Sequence, residues 1–190
     1  MATANLTVTP AAGRLGAVVD GLDLSGPLDE ATVESLRALL DEHLVLFFPG
    51  QALDDESELA FALRFGDFYV HPLARVQGAT SPRCGHIVDD VDHPPFQDKW
   101  HTDVSWDPEP PTHGILRMID RPERGGDTIF ANMYAAYDAL SAPMRAFLDG
   151  LTARHTMGVG TSFRSKGGDD TTDRARDLVP GAERPVVGVH

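Results

Sequence analysis

The stretch "KWHTDVSWDPEPP", residues 99–111, places a histidine and an aspartate two apart, His101 and Asp103, between two tryptophans and ahead of a proline cluster. On a strand, residues two apart point to the same side of the sheet. An imidazole nitrogen and a carboxylate oxygen at that spacing can grip one ion together. The donor set suits Fe(II) when a second histidine completes a facial triad, which leaves positions open for oxygen and substrates. The pair by itself discriminates little. With 8 His and 21 Asp in 190 residues, chance supplies about one His-x-Asp, and one is present. A polar surface loop gives the same three letters, and so does a His/Asp zinc site of a hydrolase.

The rest of the chain narrows the choice. Its length suits a single domain, residues 1–190, with a real hydrophobic core. Hydrophobic residues at 42% and charged residues at 24% are ordinary for a soluble globular protein. The formal net charge is -13, from 29 acidic and 16 basic side chains. A field of that sign opposes nucleic acid and anionic membrane surfaces, so neither is expected as a partner. An anionic substrate would need a local arginine or lysine. One cysteine, Cys84, excludes an intrachain disulfide and a cysteine-based zinc site, in keeping with a reducing cytoplasm. The start, "MATANLTVTPAAGRLG", lacks the basic-then-apolar pattern of a secretory signal. The run "LVLFF" is far short of a membrane span.

Periodicity places helices early and short strands later. "LTVTP" and "GAVVDGLDLSG" read as strands. "LDEATVESLRALLDEH" carries Val33, Leu36, Leu39 and Leu40 at helical spacing, with acids in its first turn. "LVLFFPG" reads as a buried strand stopped by Pro49 and Gly50, and "DDESELAFALRFG" as a second helix ending at Gly66. "FYVHP", "CGHIV", "WHTDVSW", "HGILRMID" and "DTIFANM" are strand candidates between Pro, Gly and Asp clusters. "AAYDALSAPMRAFLDG" returns to helix, with Ser141 as a cap and Pro143 in a first turn. "LTARHTM" and "RPVVGV" read as strands, with "SKGGDDTTDRARDL" between them as a polar loop or lid. Without βαβ alternation, this is an α+β chain with an antiparallel or sandwich core.

The order of motifs is more specific than any of them singly. "WHTDVSW", "PP", "ILR", "GGDTIFAN", "AAYDALS" and "FLDGLTARH" follow one another, preceded by "GAVVDGLDLSGPLD", "LVLFFPGQ" and "LAFALRFGDFYVHP". In sequence and spacing, across nearly the whole chain, this resembles the taurine dioxygenase (TauD/TfdA) family of Fe(II)- and 2-oxoglutarate-dependent dioxygenases. The resemblance implies a double-stranded β-helix (jelly-roll, cupin-like) core with flanking helices. It implies Fe(II) as metal, 2-oxoglutarate and O2 as co-substrates, and release of succinate and CO2 as a small organic acid is hydroxylated. It makes His101 and Asp103 the first two iron ligands. Thr128, in "GGDT", matches the threonine that contacts a 2-oxoglutarate carboxylate, with Gly125 and Gly126 permitting the close turn before it. His71, in "YVHP", matches a substrate-pocket residue, and Gln97 stands where the taurine enzyme has an asparagine. Gln97, and Leu73-Ala74 in place of a tyrosine, argue against taurine itself and leave another sulfonate, an alkyl sulfate or a carboxylate open. Asp103, rather than Ala or Gly, implies hydroxylation over halogenation. Dimers or tetramers are common in the family.

The family's third metal ligand, a histidine, and the arginine that pairs with 2-oxoglutarate lie downstream of everything matched here. The closing "ERPVVGVH" resembles "HPVVRTHP", so His190 falls at the wrong place in the motif order to be that ligand. The expectation is an incomplete jelly roll, the N-terminal portion of the oxygenase domain, with strand edges and apolar faces uncovered. A catalytically incomplete fragment or an interaction module of the same fold is the competing expectation. Residues without a role in either reading include His43, His86, His93, His113 and His155. Trp100 and Trp106 read as core or pocket wall.

Overall fold

The computed structural model describes residues 6–79, 84–92, 100–157 and 170–188, with the backbone alone for 170–173. The chain groups into two compact units, Met1–Asp67 with His113–Ser141, and Phe68–Thr112 with Ala142–His190.

The first unit is built on the strands β1 (Thr7–Pro10), β2 (Ala17–Asp20) and β3 (Leu46–Phe47) and the helices α1 (Glu30–His43), α2 (Asp55–Ala62) and α4 (Met133–Asp138). β2 is central. It pairs antiparallel with β1, Val8 opposite Val19, and parallel with β3, Ala17 opposite Leu46. The sequence-level reading of α1 holds at both ends. The Asp29 carboxylate accepts from the Thr32 amide at 2.8 Å, an N-cap that satisfies one orphan donor of the first turn. At the other end Leu44 takes a left-handed φ of 68° and its amide returns to the Leu40 carbonyl at 2.7 Å. Thr32, Val33 and Leu36 are the buried residues of α1. Leu36 meets Val19, Leu24 and Phe61 in one core, rimmed by Leu22, Leu28, Leu39, Leu46, Phe48, Leu53 and Phe65. α2 starts in a reciprocal cap, with Asp54 and Ser57 each accepting the other's amide.

Polar side chains tie the connecting loops to this core. Gln51 accepts from the Leu24 amide at 2.8 Å and donates to the Leu22 carbonyl at 3.0 Å. Arg117 donates to Glu58 at 2.7 Å, Asp55 at 2.5 Å and the Leu53 carbonyl at 3.1 Å. Around Arg117, however, residues 113–131 form no ladder among the described residues, against the expectation of strands at "HGILRMID" and "DTIFANM". A strand is stabilised only with a hydrogen-bonding neighbour, and here Leu116, Met118, Ile119 and Ile129 stand exposed.

The second unit contains the helices α3 (Pro72–Val76), α5 (Ala142–Leu148) and α6 (Asp170–Asp177) and the strands β4 (Thr152–His155) and β5 (Ala182–Pro185). β4 and β5 form an antiparallel ribbon, Ala153 opposite Arg184 and His155 opposite Ala182. Gly181 admits β5 to the ribbon, since its φ is 82° and a Cβ there would lie 2.6 Å from the His155 carbonyl oxygen. Three expectations are corrected. "YVHP" leads into the helix α3, because Pro72 sits at its first position and His71 caps it. Part of "SKGGDDTTDRARDL" is the helix α6; its remaining residues up to 169 lie outside the described residues. The strand at "RPVVGV" begins two residues before that stretch, at Ala182, and ends at Pro185, before its apolar Val186 and Val187. "CGHIV" and "WHTDVSW" likewise form no ladder among the described residues.

Candidate functional site

His101 and Asp103 come together, but not by strand alternation. Residues 103–106 form a turn. Val104 takes a left-handed φ of 55°, an uncommon conformation for a β-branched residue, and the Asp107 amide closes onto the Val104 carbonyl at 2.9 Å. The turn brings His101 Nε2 to 3.3 Å from Asp103 Oδ1, with the side chains 49% and 81% exposed. Two adjacent ligands of one ion, bonded at about 2.0–2.2 Å and roughly at right angles, have donor atoms about 3 Å apart. The residues present therefore fit a metal such as Fe(II) in both donor chemistry and spacing. The same separation serves a hydrogen bond between the two side chains.

The turn beyond the pair is gripped by several side chains of the same unit. The Tyr69 hydroxyl donates to Asp107 Oδ2 at 2.6 Å. Burial, and then the Asp107 carboxylate, push the Tyr69 hydroxyl far up, so it stays a proton donor. Burial pushes the Asp107 carboxyl up as well, but the hydrogen bonds from Tyr69 and the Glu109 amide and the charges of Arg75 and Arg184 outweigh it and hold it below the usual range. His155 Nδ1 lies 2.9 Å from Ser105 Oγ. Trp106, half-buried, packs against the His71 ring in a T-shaped arrangement at a centroid distance of 5.6 Å. Trp100, by contrast, is 68% exposed and is not core.

His71 is thus attached to the turn that bears the pair. Its Nδ1 accepts from the Leu73 amide at 3.2 Å, which assigns the proton of the neutral ring to Nε2. Burial first, then the charge of Arg75, lower its pKa, with Asp103 acting the other way. The neutral imidazole offers a single N–H donor. Thr128 is exposed, and it follows Gly125 and Gly126, whose φ values of 77° and 73° make the close turn expected there. It belongs to the first unit, His71, His101 and Asp103 to the second. Gln97 and His190 lie outside the described residues. Sequence reasoning missed Tyr69, Ser105, Asp107 and Arg184. All four lie inside stretches already quoted, Tyr69 in "FYVHP", Ser105 and Asp107 in "KWHTDVSWDPEPP" and Arg184 in "RPVVGV", but none carries a local signal of its role.

Comparison with known proteins assigns the chain to an established class. The chain belongs to the taurine catabolism dioxygenase TauD, TfdA family, whose pattern matches residues 7–190. It is 42% identical over 201 residues to an alpha-ketoglutarate-dependent sulfate ester dioxygenase of Pseudomonas putida, covering 97% of this chain and 62% of that protein. It is 36% identical to an alkylsulfatase of Acinetobacter baylyi, covering 81% of this chain and 48% of the relative. Among solved structures, a taurine dioxygenase from Burkholderia xenovorans superposes with a TM-score of 0.64 at 30% identity, covering 97% of this chain and 59% of that one. The chain spans about half to three fifths of the length of these relatives. Among the described residues no helix is long and apolar enough to cross a membrane.

Proposed function

We propose that this chain carries part of the active site of an Fe(II)- and 2-oxoglutarate-dependent dioxygenase that hydroxylates a small organic sulfate ester and releases succinate and CO2. Both units belong, in this reading, to one oxygenase domain with a jelly-roll core, working in the cytoplasm, alone or as a homo-oligomer. The observation that carries it is the 3.3 Å approach of His101 Nε2 to Asp103 Oδ1 on a braced turn, in a chain of the TauD/TfdA family. Kinship with a sulfate ester dioxygenase and an alkylsulfatase favours sulfate esters over sulfonates and carboxylates.

His101 and Asp103 hold Fe(II), which supplies the oxygen chemistry that couples 2-oxoglutarate decarboxylation to substrate hydroxylation. A second imidazole completes the set. Thr128 donates its hydroxyl to a 2-oxoglutarate carboxylate. His71 presents Nε2–H to an anionic substrate oxygen, a task for which its neutral state is no obstacle because the donor remains, and Gln97 adds an amide donor. Hydroxylation at the carbon bearing the ester oxygen leaves a product that collapses to an aldehyde and inorganic sulfate.

The test is succinate formation with Fe(II) and 2-oxoglutarate by a protein that carries this chain together with the family's downstream histidine and arginine, with alkyl sulfates, sulfonates and aryloxy acids supplied in turn. Alkyl sulfates should stimulate it most, and Asp103→Ala should abolish it. Zinc-dependent hydrolysis without 2-oxoglutarate, or full activity in Asp103→Ala, would overturn the assignment. The exposed Leu116, Ile119 and Ile129 favour a second reading, an interaction module of the same fold. It expects metal-independent association and no succinate with any of these substrates.

A further inference from the structure

The face of the β4–β5 ribbon that is half-buried consists of Ala153, His155, Ala182 and Arg184, while Thr152, Arg154, Glu183 and Pro185 are exposed. That face meets the turn following the His101–Asp103 pair. Arg184 donates from Nε to the Ser105 carbonyl at 2.8 Å, and from one terminal nitrogen to the carbonyls of Asp107 at 2.5 Å and Pro108 at 3.4 Å. A planar guanidinium with donors in a fixed fork suits several acceptors at once, where a lysine ammonium supplies a single point of attachment. The turn has reason to need such a hold. Val104 sits at φ 55°, and a strained residue persists only where its surroundings over-determine it.

We propose that Arg184 is a positioning residue for the metal-binding pair: by gathering the carbonyls of Ser105, Asp107 and Pro108 it fixes the turn that begins at Asp103, and so the separation of the two ligand atoms. The proposal rests on the reading of His101 and Asp103 as metal ligands. Arg184 acts through the backbone of the turn, at the carbonyls of Ser105, Asp107 and Pro108. His155, bonded to the Ser105 side chain on the same ribbon face, assists it.

Two readouts on the intact chain separate the clamp from the metal reading. The first is the Mn(II) concentration that broadens the NMR signals of His101 and Asp103. The second is hydrogen exchange at the Asp107 amide. Arg184→Ala should need about 10-fold more Mn(II), the usual lower bound for losing a group that supports a metal ligand, and should exchange the Asp107 amide faster. Arg184→Lys should fall between wild type and Arg184→Ala, and it decides the matter if Arg184→Ala does not fold. Arg154→Ala is the control. Arg154 also donates to a carbonyl, that of Pro180 at 2.8 Å, but has no bond to the turn, so neither readout should move. A wild-type Mn(II) response in the Arg184 variants, or equal losses in Arg154→Ala, overturns the proposal. If wild type itself shows no broadening, the metal reading falls, and unchanged exchange in Arg184→Ala would then remove the clamp as well.

Discussion

Leu36 and Arg184 hold their surroundings by opposite means. Leu36 is fully buried among Val19, Leu24 and Phe61, and what fixes that region is the removal of apolar surface from water. At the turn 103–108, by contrast, the candidate pair His101 and Asp103 stands exposed. The turn is fixed by donors reaching in from Arg184 and Tyr69 and by the hydrogen bond between His155 and Ser105. A site that must meet a polar ligand has little burial to draw on, so hydrogen bonds at the periphery do the fixing. The cost of losing one brace should then be small in stability and large in geometry.

The largest effect expected from this contrast is on the apolar side. Leu36→Ala should lower unfolding free energy by about 2–5 kcal/mol, the range for emptying a packed leucine site, read by chemical denaturation. A loss under ~1 kcal/mol would show that the core around α1 is not packed as described. Next comes Tyr69→Phe, which removes one hydrogen bond to Asp107 and should cost about 0.5–1.5 kcal/mol. Hydrogen exchange across 103–108 should rise in this variant with little change elsewhere, and a global rise would erase the distinction drawn here. Smallest is a pH effect. The folded-state pKa of His71 is lowered, so the unfolded chain takes up the proton first as pH falls. Stability is full above the ordinary histidine value near 6.5 and declines below it, down to the folded pKa. His71→Asn keeps a capping acceptor for the Leu73 amide and should flatten that part of the stability curve. An unchanged slope would mean that another group titrates there.

How much of this was legible in the sequence differs along the chain. α1 announces itself through Val33, Leu36, Leu39 and Leu40 and through the acids of its first turn, all local signals. The first two strands and "LTARH" were legible by alternation. Residues 113–131 read as strands because Ile115, Arg117, Ile129 and their neighbours have the right composition, yet a ladder depends on a partner that no local pattern names. The His-x-Asp motif identified the pair correctly as adjacent side chains but for the wrong reason. A turn with Val104 in the left-handed region brings them together, and nothing in "HTDVS" signals that. Ordered family motifs carried the functional reading. Arg184 escaped it because a single arginine on a short strand has no periodic signature, and its three acceptors lie more than 70 residues away in sequence.

Gly181 shows how far such a dependence can reach. A methyl group at that position would occupy the space of the His155 carbonyl, and the ribbon could close only by shifting its second strand. Arg184, three residues on, would move with it. The smallest side chain in the chain therefore sets the tolerance of an assembly to which it contributes no chemistry, much as a shim sets the alignment of a bearing.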